Sequence, residues 1–138
     1  MRHAIWATRI AFSLVFIVNV QCALQFVFTP GDFAAAYELS GISGEAAVRG
    51  LGIAFLMWNA TYPAFIAWPQ KFPVLGWVIL AQQAIGLVGE TALLATLPLG
   101  HELLSASIAR FIAFDGASLV IMGAAWLVAA RAMRNAAR

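Results

Sequence analysis

The stretch Pro73–Leu97, PVLGWVILAQQAIGLVGETALLATL, decides the fold class of this chain. It is longer than the about 20 apolar residues, at about 1.5 Å each, that a helix needs to cross the hydrocarbon core of a bilayer. One acid, Glu90, stands within it, and Gln82 and Gln83 precede that acid. Because an ionisable side chain is expensive at this depth, Glu90 indicates a functional site.

The composition of the whole chain predicts an integral membrane protein. Of its 138 residues, 63% are hydrophobic and 10% are charged, whereas soluble domains average about 45–50% and about 25%. The net charge is +2, but the basic residues lie mostly near helix ends, which argues against a nucleic-acid partner. The single cysteine, Cys22, excludes an intrachain disulfide. We therefore predict one all-α transmembrane domain over residues 1–138.

Four apolar spans are predicted, and short connections join them into an antiparallel four-helix bundle. They cover about residues 5–28, 46–68, 73–97 and 103–130. Pro63 lies inside the second span, where a kink is tolerated if neighbouring groups satisfy the freed carbonyl. Between the first two spans, a short amphipathic helix is predicted at the membrane surface, with Asp32 as its cap and with Phe33 and Tyr37 in the interface.

The basic residues predict the orientation of the bundle. Six of the eight fall on the side of the N-terminus: Arg2, Arg9, Lys71, Arg131, Arg134 and Arg138. Only Arg49 and Arg110 lie toward the other side. By the positive-inside rule, both termini are expected in the cytoplasm.

Polar side chains from every span fall near the midplane or in the outer half of the predicted bundle. We predict that they line a ligand-binding cavity, formed by Glu90, Asp115, Arg49, Arg110, Asn59, Gln21, Gln83, Trp58 and Tyr62. In this interpretation the two arginines balance the two acids, because an unpaired buried ion costs several kcal/mol. Trp58 and Tyr62 lie one turn apart and could stack on a flat ring such as a quinone, with ordinary packing as the alternative.

A purely structural interpretation stays open beside the cavity. Arg49 and Arg110 would then extend to outer headgroups, Glu90 would pair with one of them as a clamp, and Asp115 would be protonated. The variants Glu90→Gln and Asp115→Asn separate the two cases. Lost ligand binding with preserved folding favours a site, whereas collapse of the bundle favours a clamp.

Catalytic and metal-binding signatures are absent from the sequence. It contains no His-Glu-x-x-His, no Gly-x-Ser-x-Gly, no phosphate loop and no pair of His or Cys ligands at metal spacing. No cofactor is therefore expected. Since a carboxylate pair can perform acid–base work on a membrane-dissolved substrate, an isomerase-like enzyme is kept as a further hypothesis.

Two runs around the second span carry a family resemblance. Glu45-Ala-Ala-Val-Arg-Gly-Leu-Gly52 and Asn59-Ala-Thr-Tyr-Pro63 are similar to runs in the small bacterial membrane proteins grouped as DoxX-like. The resemblance implies a multi-pass four-helix bundle in a bacterial inner membrane, sometimes an accessory subunit of a quinone-linked oxidoreductase. It transfers no catalytic residues to this chain.

Two functions from different classes follow. The first is binding or transport of a small or lipid-like molecule, such as a quinone, in the outer cavity. The alternative is an accessory or structural subunit of a larger membrane redox complex, without a ligand site of its own. Membrane lipids surround the chain in both cases, and a homo-oligomer is compatible with both. Because four helices leave little room for alternating access, transport would require a dimer or a larger assembly.

Overall fold

A computed structural model describes residues 1–136, and within this range the chain is helical with short connections and no strand. The helices are α1 (Arg2–Phe28), α2 (Gly31–Ala34) with a 3-10 turn (Ala35–Tyr37), α3 (Gly41–Asn59), α4 (Tyr62–Ala67), α5 (Pro73–Thr96) and α6 (Glu102–Ala136). Arg138, one of the six basic residues that predict the orientation of the bundle, lies outside the described residues. Within them, α1, α3 with α4, α5, and α6 are each long and apolar enough to cross a membrane. The prediction of four helical spans is confirmed to this extent.

The second span continues through Pro63 with a local loss of hydrogen bonds. α3 ends at Asn59 and α4 begins at Tyr62, but Ala60 and Thr61 between them keep right-handed helical backbone angles. Because proline has no N–H, it cannot bond the carbonyl four residues earlier, that of Asn59. The proline is thus accommodated inside one span, Gly41–Ala67.

One half of the bundle is filled by four fully buried rings, which we call the aromatic plug: Phe12, Tyr62, Phe65 and Trp126. The ring centroids of Phe12 and Phe65 are 4.6 Å apart, and Phe65 meets Trp126 edge-on at 5.0 Å. The Tyr62 hydroxyl donates to the sulfur of Met122 at 3.9 Å. Because lipid tails are as apolar as these side chains, van der Waals packing holds the plug together.

α1 packs most closely against α3 and α6, and α5 packs against α6. The approach of α1 to α3 depends on Gly52. A Cβ at this position would lie 2.7 Å from the carbonyl oxygen of Ala23 and 2.8 Å from Cβ of Phe26. Only glycine lets the two backbones come this close.

Hydrogen bonds between helices join distant parts of the chain. Thr8 Oγ1, near the start of α1, donates to the carbonyl of Ala125 in the second half of α6 at 3.1 Å. Arg9 Nη2 donates to the carbonyl of Ala67, the last residue of α4, at 2.8 Å. The beginning of α1 therefore contacts the late parts of two other spans.

Residues 31–40, which we call the cap segment, fold over the end of the bundle opposite the aromatic plug. Phe33 and Tyr37 pack against Phe26 of α1, with ring centroids 5.0 and 5.9 Å apart. Both rings therefore face the bundle, and their position in the membrane interface stays a prediction. Asp32 does not cap α2, since Pro30 is at the capping position and no side-chain cap bond forms.

Candidate functional site

A cavity of 450 Å³ lies between the cap segment and the four spans. Much of its wall is aromatic, formed by Phe26, Phe33, Tyr37, Phe55, Trp58, Phe111 and Phe114. The lining also contains eight polar and charged side chains, namely Asn19, Asp32, Asn59, Gln83, Glu90, Ser107, Arg110 and Asp115. We call the seven rings the aromatic wall.

The most buried polar pair of the cavity joins α5 to α6. Gln83 Nε2 donates to Asp115 Oδ1 at 2.8 Å, and the two side chains are 1% and 8% exposed. A hydrogen bond to a buried carboxylate is stronger than one between neutral groups. This pair therefore fixes the position of Asp115 at the cavity.

Gly86 brings Trp58 and Asp115 together. A Cβ on Gly86 would lie 2.8 Å from Cη2 of Trp58 and 3.0 Å from Oδ2 of Asp115. The indole thus reaches across the cavity to α5 beside the carboxylate. Any larger residue at position 86 would have to displace one of these two groups.

A second polar pair connects α1 to α3. Asn59 is buried, and its Nδ2 donates to the carbonyl of Phe55 one turn earlier at 2.8 Å. Asn19 Nδ2 lies 3.4 Å from Asn59 Oδ1. One N–H of the Asn59 amide is therefore used within its own helix, next to the hydrogen-bond gap before α4.

Glu90 is half-buried on the α5 side of the cavity. Its Oε2 is shielded and has no hydrogen-bond partner among the described residues, and the same holds for the hydroxyl of Tyr37. Leaving a buried acceptor unpaired costs about 1–3 kcal/mol, and more if the group is charged. Both side chains line the cavity, but these two atoms are shielded, so a bound molecule reaches them only if a neighbouring side chain shifts.

Arg110 lies exposed at the edge of the cavity, where it contributes to holding the cap segment. Its Nη2 donates to Ser107 Oγ at 3.0 Å, and Ser107 Oγ donates to the carbonyl of Ala36 at 2.6 Å. The guanidinium is thus connected to the cap segment through one hydroxyl.

Glu38 fastens the end of the cap segment to the start of α6. Its Oε2 lies 2.5 Å from His101 Nδ1, and its Oε1 accepts from the backbone N–H of Leu104 at 3.2 Å. Hydrogen bonds from His101 and then Leu104 hold the pKa of Glu38 below its usual range. We call this group of contacts the latch. Glu38 also has a left-handed backbone, with φ of 56°, which non-glycine residues adopt rarely.

Six of the nine predicted site residues line the cavity: Glu90, Asp115, Arg110, Asn59, Gln83 and Trp58. The other three lie elsewhere. Gln21 is exposed on α1, and Tyr62 belongs to the aromatic plug. Arg49 Nε donates to the carbonyl of Val27 at 3.1 Å. This carbonyl is in the last turn of α1, where carbonyls lack intrahelical partners and favour a cation.

The predicted balance of two acids by two arginines is not found. Among the described residues, the only ion pair joins Glu38 to His101. Arg49 is engaged at the end of α1 and Arg110 at Ser107, so neither arginine pairs with Glu90 or Asp115. The contact that the clamp interpretation requires, between Glu90 and an arginine, is missing for the same reason.

Sequence reasoning found Trp58 but missed the other six rings of the aromatic wall, and it did not predict that the short helix after the first span lines the cavity. A signal for the wall was present in α6, where Ser107, Phe111, Phe114 and Asp115 recur at helical spacing and share one face. Following that face from Asp115 toward the start of α6 would have found them. The inward position of Phe33 and Tyr37 had no comparable signal, because it depends on contacts with other helices.

The chain offers a pocket with acids, amides and rings rather than a metal centre. Residues 1–136 hold no group of three or more His, Cys, Asp or Glu side chains that could bind a metal ion. Comparisons with protein-family models, with curated proteins and with solved structures found no match to this chain. The cavity is therefore the feature from which a function is argued.

Proposed function

We propose that this chain is a multi-pass protein of a bacterial inner membrane, folded as an antiparallel four-helix bundle with both termini in the cytoplasm. The contacts of Thr8 with Ala125 and of Arg9 with Ala67 support the antiparallel arrangement. The excess of basic residues on one side supports the orientation. The bacterial location rests on the DoxX-like resemblance of the second span.

We further propose that the protein binds a small amphiphilic or lipid-like molecule in the cavity. The observation that carries this proposal is the 450 Å³ void whose aromatic wall surrounds a buried acid–amide pair. Small-molecule sites are typically about 300–1,000 Å³, mostly apolar, with a few placed polar groups. Protein interiors otherwise pack densely, so a bundle that serves only as a scaffold has no need of such a void.

The lining suggests how an amphiphile is oriented. Its apolar body lies against the aromatic wall, and its polar end lies near Asp115, Glu90 and Asn59. A lipid chain or a quinone ring fits the apolar requirement equally well. Trp58, which reaches α5 beside Asp115, is placed to cover a flat or extended ligand at this polar end.

The test combines native mass spectrometry of the gently extracted full chain with melting curves. Short-chain ubiquinone, a phospholipid and octanol are added separately as probes. We expect a co-purified small molecule, or a higher melting temperature with at least one probe. Phe111→Trp, which fills the cavity, is expected to abolish the effect, and Ala113→Trp, on the exposed face of the same helix, to preserve it.

A negative result of this test would contradict the proposed ligand binding. If no small molecule co-purifies and no probe changes the melting temperature, the chain has no ligand site of this kind. A stoichiometric protein partner found in the same spectra, without a small molecule, would instead support the accessory-subunit function.

A further inference from the structure

The polar end of the cavity presents carboxylate oxygens that receive no hydrogen bond. Gln83 Nε2 donates to Asp115 Oδ1, and Asn59 Nδ2 donates to the carbonyl of Phe55. Among the described residues, Asp115 Oδ2 receives no hydrogen bond, and neither does the Oε2 of Glu90. The Tyr37 hydroxyl, which also lines the cavity, bonds neither acid. A molecule with donors of its own can therefore satisfy these carboxylates.

The charges of the cavity lining also favour a positively charged ligand. Three carboxyl groups line it, those of Asp32, Glu90 and Asp115, against one guanidinium, that of Arg110. Arg110 is exposed and bound to Ser107, so it does not neutralise the two deep acids. A buried carboxylate without a counter-charge is costly. A bound cation would supply the missing charge.

The aromatic wall suits a cation as well. Positive groups are attracted to ring faces within about 6 Å, most strongly to tryptophan, and the attraction grows when the site is desolvated. Trp58 comes next to Asp115 at Gly86, so one group can contact both the indole and the carboxylate. A quinone has carbonyl acceptors and no donor, so it cannot donate to the two carboxylates or balance their charge.

We propose that the cavity takes a lipophilic cation, a molecule with an ammonium head group and an apolar body. The ammonium donates to the carboxylates of Asp115 and Glu90 beside the Trp58 indole, and the apolar body lies along Phe111 and Phe114. This inference rests on the proposed function and narrows its ligand to one chemical class.

The test is calorimetric titration of the full chain in nanodiscs of neutral lipid, at pH 7, with empty nanodiscs subtracted. The probes share one chain length and differ in head group: octylammonium, octanol and octanoate. We expect octylammonium to bind at least tenfold more tightly than octanol, and octanoate to bind most weakly. This comparison uses the unmodified chain and does not depend on the folding of a variant.

Variants then test whether Asp115 and Glu90 cause the preference for octylammonium. Asp115→Asn and Glu90→Gln are each expected to reduce the preference for octylammonium at least fivefold. The matched control, Glu102→Gln, removes an acid outside the cavity and should leave the preference unchanged. Arg110→Gln, which removes a competing positive charge, should strengthen octylammonium binding.

Failure of the cationic ligand and failure of the proposed function give different results in these titrations. Equal binding of octylammonium and octanol, or tighter binding of octanoate or of a short-chain ubiquinone, would overturn the cationic ligand and leave the proposed function standing. Failure of every probe to bind, together with the absence of a co-purified small molecule, would overturn both.

Discussion

Gly86 determines how closely Trp58 and Asp115 approach α5, so its replacement is a sensitive test of the site. In Gly86→Ala, the new methyl group would lie 2.8 Å from Trp58 Cη2 and 3.0 Å from Asp115 Oδ2. We expect the indole to move and octylammonium affinity to fall about tenfold, which corresponds to about 1.4 kcal/mol. Calorimetric titration of the variant measures this change.

Gly89→Ala is the matched control on the same helix, because a Cβ at Gly89 meets nothing within 4 Å. Glycine costs about 0.5–1 kcal/mol relative to alanine inside a helix, so this control should bind normally and melt no earlier than the parent. Equal affinities of the two variants would contradict the importance of the close approach at Gly86.

The position of Gln21 shows that the sequence of α1 alone does not reveal which face of the helix points to the cavity. Burial of Phe26, which is 2% exposed, sets the rotation of α1. At about 100° per residue, Asn19 lies about 20° and Cys22 about 40° from Phe26 around the helix, whereas Gln21 is about 140° away. The polar pattern of α1 predicted that Gln21 faces the cavity, but packing of the larger ring turned Asn19 and Cys22 inward instead.

At the scale of elements, the contact of α1 with α3 depends on one glycine. In Gly52→Ala, the new methyl group would lie 2.7 Å from the backbone oxygen of Ala23, so the helices would have to separate. We expect a loss of about 1–3 kcal/mol of stability, the usual cost of overpacking. Thermal unfolding in detergent measures it.

Gly50→Ala is the matched control two residues away, where a Cβ meets nothing within 4 Å. Its melting temperature should equal or exceed that of the parent chain. A destabilisation as large as that of Gly52→Ala would contradict the importance of the close approach between α1 and α3.

The latch makes the cap segment sensitive to acid. Hydrogen bonds from His101 and Leu104 lower the pKa of Glu38. With the latch formed, this carboxyl group therefore binds a proton less tightly than it does when the cap segment has detached from α6. The contribution of Glu38 is therefore complete above the usual carboxyl range and is lost as the pH falls through the lowered pKa. We expect hydrogen-exchange protection of residues 31–40, corrected for intrinsic rates, to decline over that window.

Glu38→Gln should show weak protection of these residues at all pH values, and Glu102→Gln, an exposed acid nearby, should follow the parent chain. A decline that is the same in Glu38→Gln and in the parent would exclude the latch as its cause.

Tyr62 was misplaced in depth rather than in direction. At about 100° per residue it lies about 60° from Asn59 and shares its face, and both side chains are buried. Tyr62 lies beyond the cavity, however, where its ring contacts Phe16 and its hydroxyl bonds Met122. The sequence predicted which way Tyr62 points, but only contacts with other helices show where the cavity ends.

For the whole molecule, the orientation can be tested by cysteine labelling. In a Cys22→Ser background, Leu99→Cys reports the turn after α5, and Gln70→Cys reports the turn after α4; both positions are exposed. A membrane-impermeant maleimide applied to intact bacterial spheroplasts should label position 99, and position 70 only after lysis. The reverse pattern would contradict cytoplasmic termini.

The predictable part of this molecule is its division into membrane-spanning helices and polar centres. Composition and run length gave the four spans, since a bilayer demands about 20 apolar residues per helix. Isolated polar residues such as Asp115 and Gln83 were found because they are expensive in lipid and turn inward. The lining rings other than Trp58 were missed, because apolar side chains are equally stable facing lipid or protein.

The aromatic plug has a consequence for what a single copy can do. Phe12, Tyr62, Phe65 and Trp126 fill the half of the bundle beyond Asp115 with side chains that no solvent reaches. The cavity is thus a dead end, and a guest that arrives beside Asp115 has to leave through the mouth by which it came. Under the proposed function, one copy of this chain would therefore bind and release its ligand through the same opening, and passage across the bundle would need a rearrangement of the aromatic plug.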